Sequence, residues 1–384
     1  MLNHVLPTDT QAILLLCASF GQNRLSQPQP LTLSEYNSLT EWLRENQMRP
    51  ADLLAPTTEE LLQTNYNGKL DINRLLTLLQ RGAMLSLAVD KWTNQGLWIL
   101  GRSDANYPKR LKTQLKQSAP AILYGVGNIE LLSMGGLAIV GSRDIDEEGL
   151  TYTQKIAQTC SAQSIQVISG GARGVDQAAM LSALNAGGTA IGVLADSLVK
   201  AAVNSKYRPD IKDGRLLLIS SYDPEAGFSA GNAMGRNKYI YALADYALVV
   251  NSSVGKGGTW AGATEALSKF KDIPLFVRLD NALEGNQQLH QKGAKPFPPE
   301  PWNELHELLL TKSITEDIYQ IVLPVILRHL QQPKDVKTLA ESLNVRLPQM
   351  EDWLDRAEKD GQVCKSKAPV TYVANQSATQ LSLL

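Results

Sequence analysis

The chain has 384 residues, 43% hydrophobic and 20% charged, with a formal net charge of −1. It is too long for one ordinary small domain, and its composition is that of a soluble globular protein of two or three domains. The near-zero charge excludes an overall cationic field, so any nucleic-acid contact must come from a local basic patch. Cys17, Cys160 and Cys364 lie far apart; they match no zinc, haem or thioredoxin spacing and read as reduced thiols of a cytoplasmic protein. The apolar stretch 12–20 is too short to span a bilayer and has no basic segment before it, so it is expected as a buried helix and no membrane partner is expected.

Residues 1–85 read as an N-terminal helical domain, with apolar residues at helical spacing around Ile13–Leu16, Leu39–Leu43 and Leu75–Leu79. Prolines 28, 30, 50 and 56 punctuate it. A short apolar run at 97–100, Tyr107-Pro108 and a second run at 121–124 lead into a central domain assigned to 86–300. From Leu137, apolar runs of strand length (137–140, 166–169, 189–194, 215–220, 246–250, 273–279) alternate with helical stretches (147–162, 175–186, 234–244, 259–270). This predicts an α/β domain, a doubly wound, mainly parallel Rossmann-like sheet covered on both faces. Such sheets bind ligands at the carboxyl ends of their strands. The stretch 280–301 reads as a loop running into a linker at 301–314. Over 315–384, helices at 318–330, 336–343 and 348–359 and a strand pair around 362–373 outline a winged helix. Its third helix carries Arg356 and Lys359 against Glu351, Asp352, Asp355, Glu358 and Asp360. That excess of acid would repel phosphate and points to protein contact rather than DNA contact.

Four loops carry the chemistry. Gly141-Ser142-Arg143 follows the first strand of the alternating region, with a glycine for close approach and a planar cation for phosphate. Ser169-Gly170-Gly171-Ala172-Arg173-Gly174-Val175-Asp176 follows the second and opens a helix. There, glycines free amide N–H groups to point at an anion, helped by the helix dipole, and Arg173 adds a bidentate contact. Asp176, in the first helical turn, is expected either to cap the helix or to orient Arg173. Gly235-Arg236-Asn237-Lys238 and Gly255-Lys256-Gly257-Gly258-Thr259 repeat the pairing of glycine and cation. The expected phosphate-binding set is thus Gly141, Ser142, Arg143, Ser169, Gly170, Gly171, Ala172, Arg173, Gly174, Asp176, Arg236, Asn237, Lys238, Gly257, Gly258 and Thr259. Enzymatic constellations are thin. His4, His290, His306 and His329 fall outside these loops, so neither a Ser-His dyad nor a histidine metal site is supported. The first strand lacks a G-x-G-x-x-G fingerprint and the chain lacks a Walker A sequence. No catalytic residue, metal or cofactor is assigned.

Read in order, these segments resemble the DNA-processing protein A family (DprA, also called Smf). The resemblance is carried by Asn106-Tyr107-Pro108-Lys109-Arg110-Leu111, Pro120 to Gly125, Ala138 to Arg143, Ser169 to Asp176, Arg236-Asn237, and Gly285-Asn286 with Leu289 and Gly293-Ala294. It covers about 95–300 and implies single-stranded DNA binding in natural transformation and recombination, homodimers, and loading of a RecA-type recombinase. By motif, Arg143, the 169–176 loop and Arg236-Asn237 would line the DNA-phosphate pocket. The chain departs from the family pattern at Leu198 to Val203, at Gly231 to Gly235 and at Gly257-Gly258-Thr259-Trp260, which places it in a divergent branch. The last departure also resembles the nucleotide-processing Rossmann family of LOG type, with Arg236 and Lys238 as its cation pair and Glu265 as its carboxylate. Nucleoside monophosphate hydrolysis and non-catalytic nucleotide sensing are therefore carried forward as alternatives.

Overall fold

The computed structural model describes residues 6–21, 28–279, 283–310, 318–367 and 369–375. They divide between Leu309 and Leu310 into two compact units. The first begins with helices α1 (Thr8–Cys17), α2 (Leu33–Glu45), α3 (Thr58–Asn65), α4 (Ile72–Leu79) and α5 (Gly82–Asn94). The apolar stretch of α1 is buried all round, from Ala12 to Leu16. Its last carbonyls, with no partner inside the helix, are met by the Arg81 guanidinium, which donates to Leu15 and Ala18. Helix α2 starts at a reciprocal capping box between Thr32 and Glu35.

The sheet follows: β1 (Trp98–Gly101), α6 (Lys109–Leu115), β2 (Ile122–Gly127), α7 (Leu131–Met134), β3 (Leu137–Val140), α8 (Glu147–Ala162), β4 (Val167–Ser169), α9 (Val175–Asn185), β5 (Ala190–Val193), α10 (Leu198–Ala202), α11 (Arg208–Lys212), β6 (Leu216–Ser220), α12 (Ala230–Leu243), β7 (Tyr246–Val249), α13 (Gly258–Lys269), β8 (Leu275–Val277), α14 (Glu284–Gln291), β9 (Lys295–Pro296) and α15 (Leu305–Leu310). Nine strands stand in the order β1-β2-β6-β5-β4-β3-β7-β8-β9. The pairings from β6 through β9 are parallel, while β2 runs antiparallel to both β6 and β1. This is the expected doubly wound, mainly parallel sheet. Leu137 pairs with Val167 on one side and Tyr246 on the other, so β3 is the point where strand order reverses and a crevice opens beyond its carboxyl end.

Alternate residues of each strand feed different cores, as the two-residue period of a strand requires. In β6, Leu217 and Ile219 join the cluster under α6 and α12, while Leu216 and Leu218 join the cluster built with the N-terminal helices. The first 85 residues therefore share one hydrophobic core with Ile99, Tyr124 and Val126 of the sheet edge.

Two expectations need correction. The stretch 280–301 holds helix α14 and strand β9 rather than loop alone. The helix escapes a reading by apolar periodicity because Leu289 is its only large buried hydrophobe. It is held by buried Asn286, whose amide donates to the carbonyls of Val249, Val250 and Arg278. Residues 305–310, expected in a linker, form α15, and Leu305 and Leu309 are buried beside Phe297 and Trp302.

The second unit contains α16 (Ile318–His329), α17 (Val336–Ser342), α18 (Leu347–Lys359) and a hairpin of β10 (Val363–Lys367) and β11 (Val370–Ala374). Ile326, Leu330, Leu339, Met350, Leu354, Val363 and Tyr372 make its core. Arg356 of α18 lies 4.3 Å over the Tyr319 ring and 3.9 Å from Asp360, so its charge is answered within the unit.

Candidate nucleic-acid interface

Three strand-to-helix loops meet helix α12 at the carboxyl end of the sheet; Gly235-Arg236-Asn237-Lys238, expected to open a helix, lies inside α12, which starts earlier at Ala230 behind its Ser229 cap. The residues divide into an inner and an outer layer. The inner layer begins at Asp176, 6% exposed in the first turn of α9. The backbone amides of Gly141, Ala172 and Gly170 surround its carboxylate and favour its charge. The glycine loop is expected to aim its amides at an external anion, and the chain's own carboxylate stands close to two of them, Gly170 and Ala172. Burial pushes the Asp176 carboxyl above its usual range, and the Arg236 charge and the three amides oppose that rise. Arg236 is 5% exposed, lies 3.7 Å from Asp176 and donates to the Val193 carbonyl at 2.6 Å. Burial lowers its pKa, with Asp176 pulling the other way. Gly170 is required here, because a Cβ at that position would collide with the Arg236 guanidinium.

Several expected ligands belong to this inner layer. Ser169 is fully buried, and its hydroxyl donates to the Ile139 carbonyl at 2.6 Å. Asn237 donates to the Gly258 carbonyl, tying α12 to α13. The Thr259 hydroxyl donates to the Gly141 carbonyl at 2.8 Å, tying α13 to β3. Gly174, at φ 87°, caps α9 while a Cβ there would meet the carbonyls of Ser142 and Arg143. Asp176 turns to Arg236; Arg173 instead pairs with Asp144 at 2.7 Å, both side chains largely in water. Ser169 thus belongs to the frame that shapes the loops, while Asp176 and Arg236, though paired and largely buried, still reach the cleft walls.

The outer layer is open. Arg143 is exposed, and its guanidinium lies 5.0 Å over the ring of Phe228, a residue 58% exposed. This stack stands between two clefts. One, of 590 Å³, is lined by Gly170, Gly171, Arg173, Asp196, Lys200 and Tyr207 among others. The other, of 520 Å³, is lined by Gly141, Ser142, Met234, Lys256, Gly257 and Gly258 among others. Arg143, Ala172, Phe228, Ala233 and Arg236 belong to both. Phe228 went unread in the sequence because a lone aromatic between Gly227 and Ser229 carries no periodic signal. Asn251 was missed as well; its side-chain oxygen accepts from the Ser142 amide at 2.8 Å and fixes the first loop.

Lys238 lies apart from the clefts, 5.2 Å over the Tyr239 ring. Burial lowers its pKa and the Glu265 charge opposes this. Residues two apart on a helix face different sides, so Arg236 and Lys238 do not converge as a cation pair. Glu265 pairs with Lys269 at 2.6 Å and lines neither cleft. Among the described residues, no group of three or more His, Cys, Asp or Glu side chains is placed to hold a metal ion, and no helix is long and apolar enough to cross a membrane.

Comparison with known proteins places this geometry in a lineage. The chain is 30% identical over 181 residues to DNA processing protein DprA of Streptococcus pneumoniae, a match covering 46% of this chain and 63% of that protein. It is 26% identical over 211 residues to DNA processing protein DprA of Bacillus subtilis, covering 53% and 69%. Among solved structures, DNA processing protein A of Helicobacter pylori, described in terms of its single-stranded DNA binding mode, aligns at 24% identity with a TM-score of 0.45, covering 56% of this chain and 94% of that one. The family described as DNA recombination-mediator protein A matches residues 98–307, more than half of the chain, and the chain belongs to that family.

Proposed function

We propose that this chain binds single-stranded DNA and serves DNA processing, protecting incoming strands and presenting them to a RecA-type recombinase as a cytoplasmic homodimer. The observation that carries the DNA reading is the exposed Arg143–Phe228 stack between two clefts. A single strand offers phosphates to cations and unstacked bases to aromatic faces at once, whereas a duplex hides its bases. Arg143, Arg173, Lys200 and Lys256 supply charge around the clefts, and Gly171, Gly257 and Gly258 let a backbone approach closely. Family membership supports the recombination role. The mechanism is capture without bond chemistry: phosphates exchange their counterions for arginine and lysine, and bases stack.

Fluorescence anisotropy with single- and double-stranded oligonucleotides of equal length tests this. The expected result is a preference of about tenfold or more for the single strand, falling steeply with salt and weakened by Arg143→Ala and by Arg173→Ala. Equal binding of duplex, or affinity indifferent to salt, would end the reading. Release of free base from a nucleoside monophosphate, abolished by Glu265→Gln, would establish the hydrolase instead.

A further inference from the structure

Asp196 stands directly beyond β5 at the carboxyl end of the sheet and lines the larger cleft together with Arg143, Arg173, Lys200, Tyr207 and Phe228. Half-buried, it makes no hydrogen bond or ion pair with any described residue, although its charge reaches buried Arg236. A carboxylate without a partner is out of place in a cleft that captures phosphate, because it repels the backbone the cations attract. The contradiction disappears if phosphate runs along Arg143 and Arg173 while Asp196 faces the uncharged part of the nucleotide. An ionised carboxylate only accepts hydrogen bonds, through two oxygens. Among the four DNA bases, only guanine carries two neighbouring donors, N1–H and the N2 amino group, on one edge. Adenine and cytosine place an acceptor nitrogen beside their amino group, and thymine flanks its one N–H with two carbonyl oxygens.

We propose that Asp196 reads the Watson–Crick edge of a guanine held in the larger cleft, making the strand preference of this protein guanine-dependent. The cleft has 590 Å³, within the range of about 300–1,000 Å³ typical of small-ligand sites and ample for one base. Phe228 and Tyr207 line it beside Leu194 and Ala201 and supply aromatic and apolar faces for the base, with Lys200 at the rim for a neighbouring phosphate. The assignment rests on the DNA reading above, since it places a base of the bound strand in the cleft.

The test compares thymine oligonucleotides carrying isolated internal guanines with the same oligonucleotides carrying adenines at those positions, using anisotropy at one fixed salt concentration. Wild-type protein is expected to favour the guanine strand about tenfold, the range of a two-hydrogen-bond base contact. Asp196→Asn, which replaces one accepting oxygen with a donor and so loses one of the two bonds to the N1–H and N2 pair, is expected to reduce that preference several-fold. Equal affinity of wild type for guanine and adenine strands, or an undiminished preference in Asp196→Asn, overturns the assignment and leaves the DNA reading standing. If no strand binds but guanosine monophosphate binds and loses affinity in Asp196→Asn, the DNA reading fails and the guanine contact survives as one to a free nucleotide. Binding of neither overturns both.

Discussion

Arg236, inside α12, and Arg143, on the loop after β3, face the same sheet edge, and the sequence presents them alike: each is an arginine beside a glycine in a stretch expected to open a helix or follow a strand. One is 5% exposed and locked to Asp176 and the Val193 carbonyl. The other is exposed and stacks on a ring that is itself open to water. The contrast shows that a charged motif residue can be spent on architecture. The buried pair holds the glycine loop in shape, and the open pair is left to meet a ligand. Removing one partner of a buried ion pair leaves the other charge buried and uncompensated, which is felt as instability, while an exposed cation shows its worth only when a polyanion arrives.

The largest expected effects fall on the buried side. Arg236→Ala leaves Asp176 buried without its counter-charge and should lower unfolding free energy by about 3–5 kcal/mol, measured by urea denaturation. Gly170→Ala forces Arg236 from its seat and should cost about 1–3 kcal/mol by the same measurement. A near-wild-type midpoint for both would mean that the inner layer is not structural. The pH dependence has a definite sign. The Asp176 carboxyl is raised above its ordinary 3.8 in the folded protein, so over the window from that value up to the raised one the native state holds more proton than the unfolded chain. Stability contributed there is lost as pH rises through the window. Asp176→Asn should flatten that limb of the stability profile, whereas Arg236→Ala should stretch it upward.

On the open side the effects move to binding. Phe228→Ala should weaken single-strand affinity by about 1–3 kcal/mol through lost stacking, with thermal midpoint unchanged because the ring is largely in water. Arg143→Ala should reduce the salt slope by about one counterion and weaken all sequences alike. Smallest of all, Lys238→Ala should leave affinity within about twofold, since the ammonium lies over Tyr239 and outside both clefts; a tenfold loss there would redraw the boundary between the two layers.

Much of the sheet was legible in the sequence. Continuous apolar runs such as Leu137–Val140 and Leu216–Ser220 mark strands buried on both faces, and the glycines after them mark the ligand edge. What the sequence did not disclose is direction. Whether Arg236 points inward depends on Gly170 making room and on Asp176 standing beside the amides of its own loop and of Gly141, relations that join segments dozens of residues apart. Asp196 and Phe228 were overlooked because each is a single residue without periodicity. Helix α14 was taken for loop because it is anchored by Asn286 hydrogen bonds and one leucine rather than by an apolar stripe.

The shared core at the sheet edge bears on how this protein can be divided for study. Residues 98–307 carry the family match, yet Ile99, Tyr124 and Val126 share a core with the N-terminal helices, and the Tyr124 ring meets Trp92 of α5 edge-on. A chain trimmed to that segment would bring these side chains into water. Newly exposed apolar patches favour self-association, so the trimmed chain should precipitate where the full chain stays dispersed. The N-terminal helices thus act as a built-in solubility cover, and oligomer measurements are meaningful only with them attached.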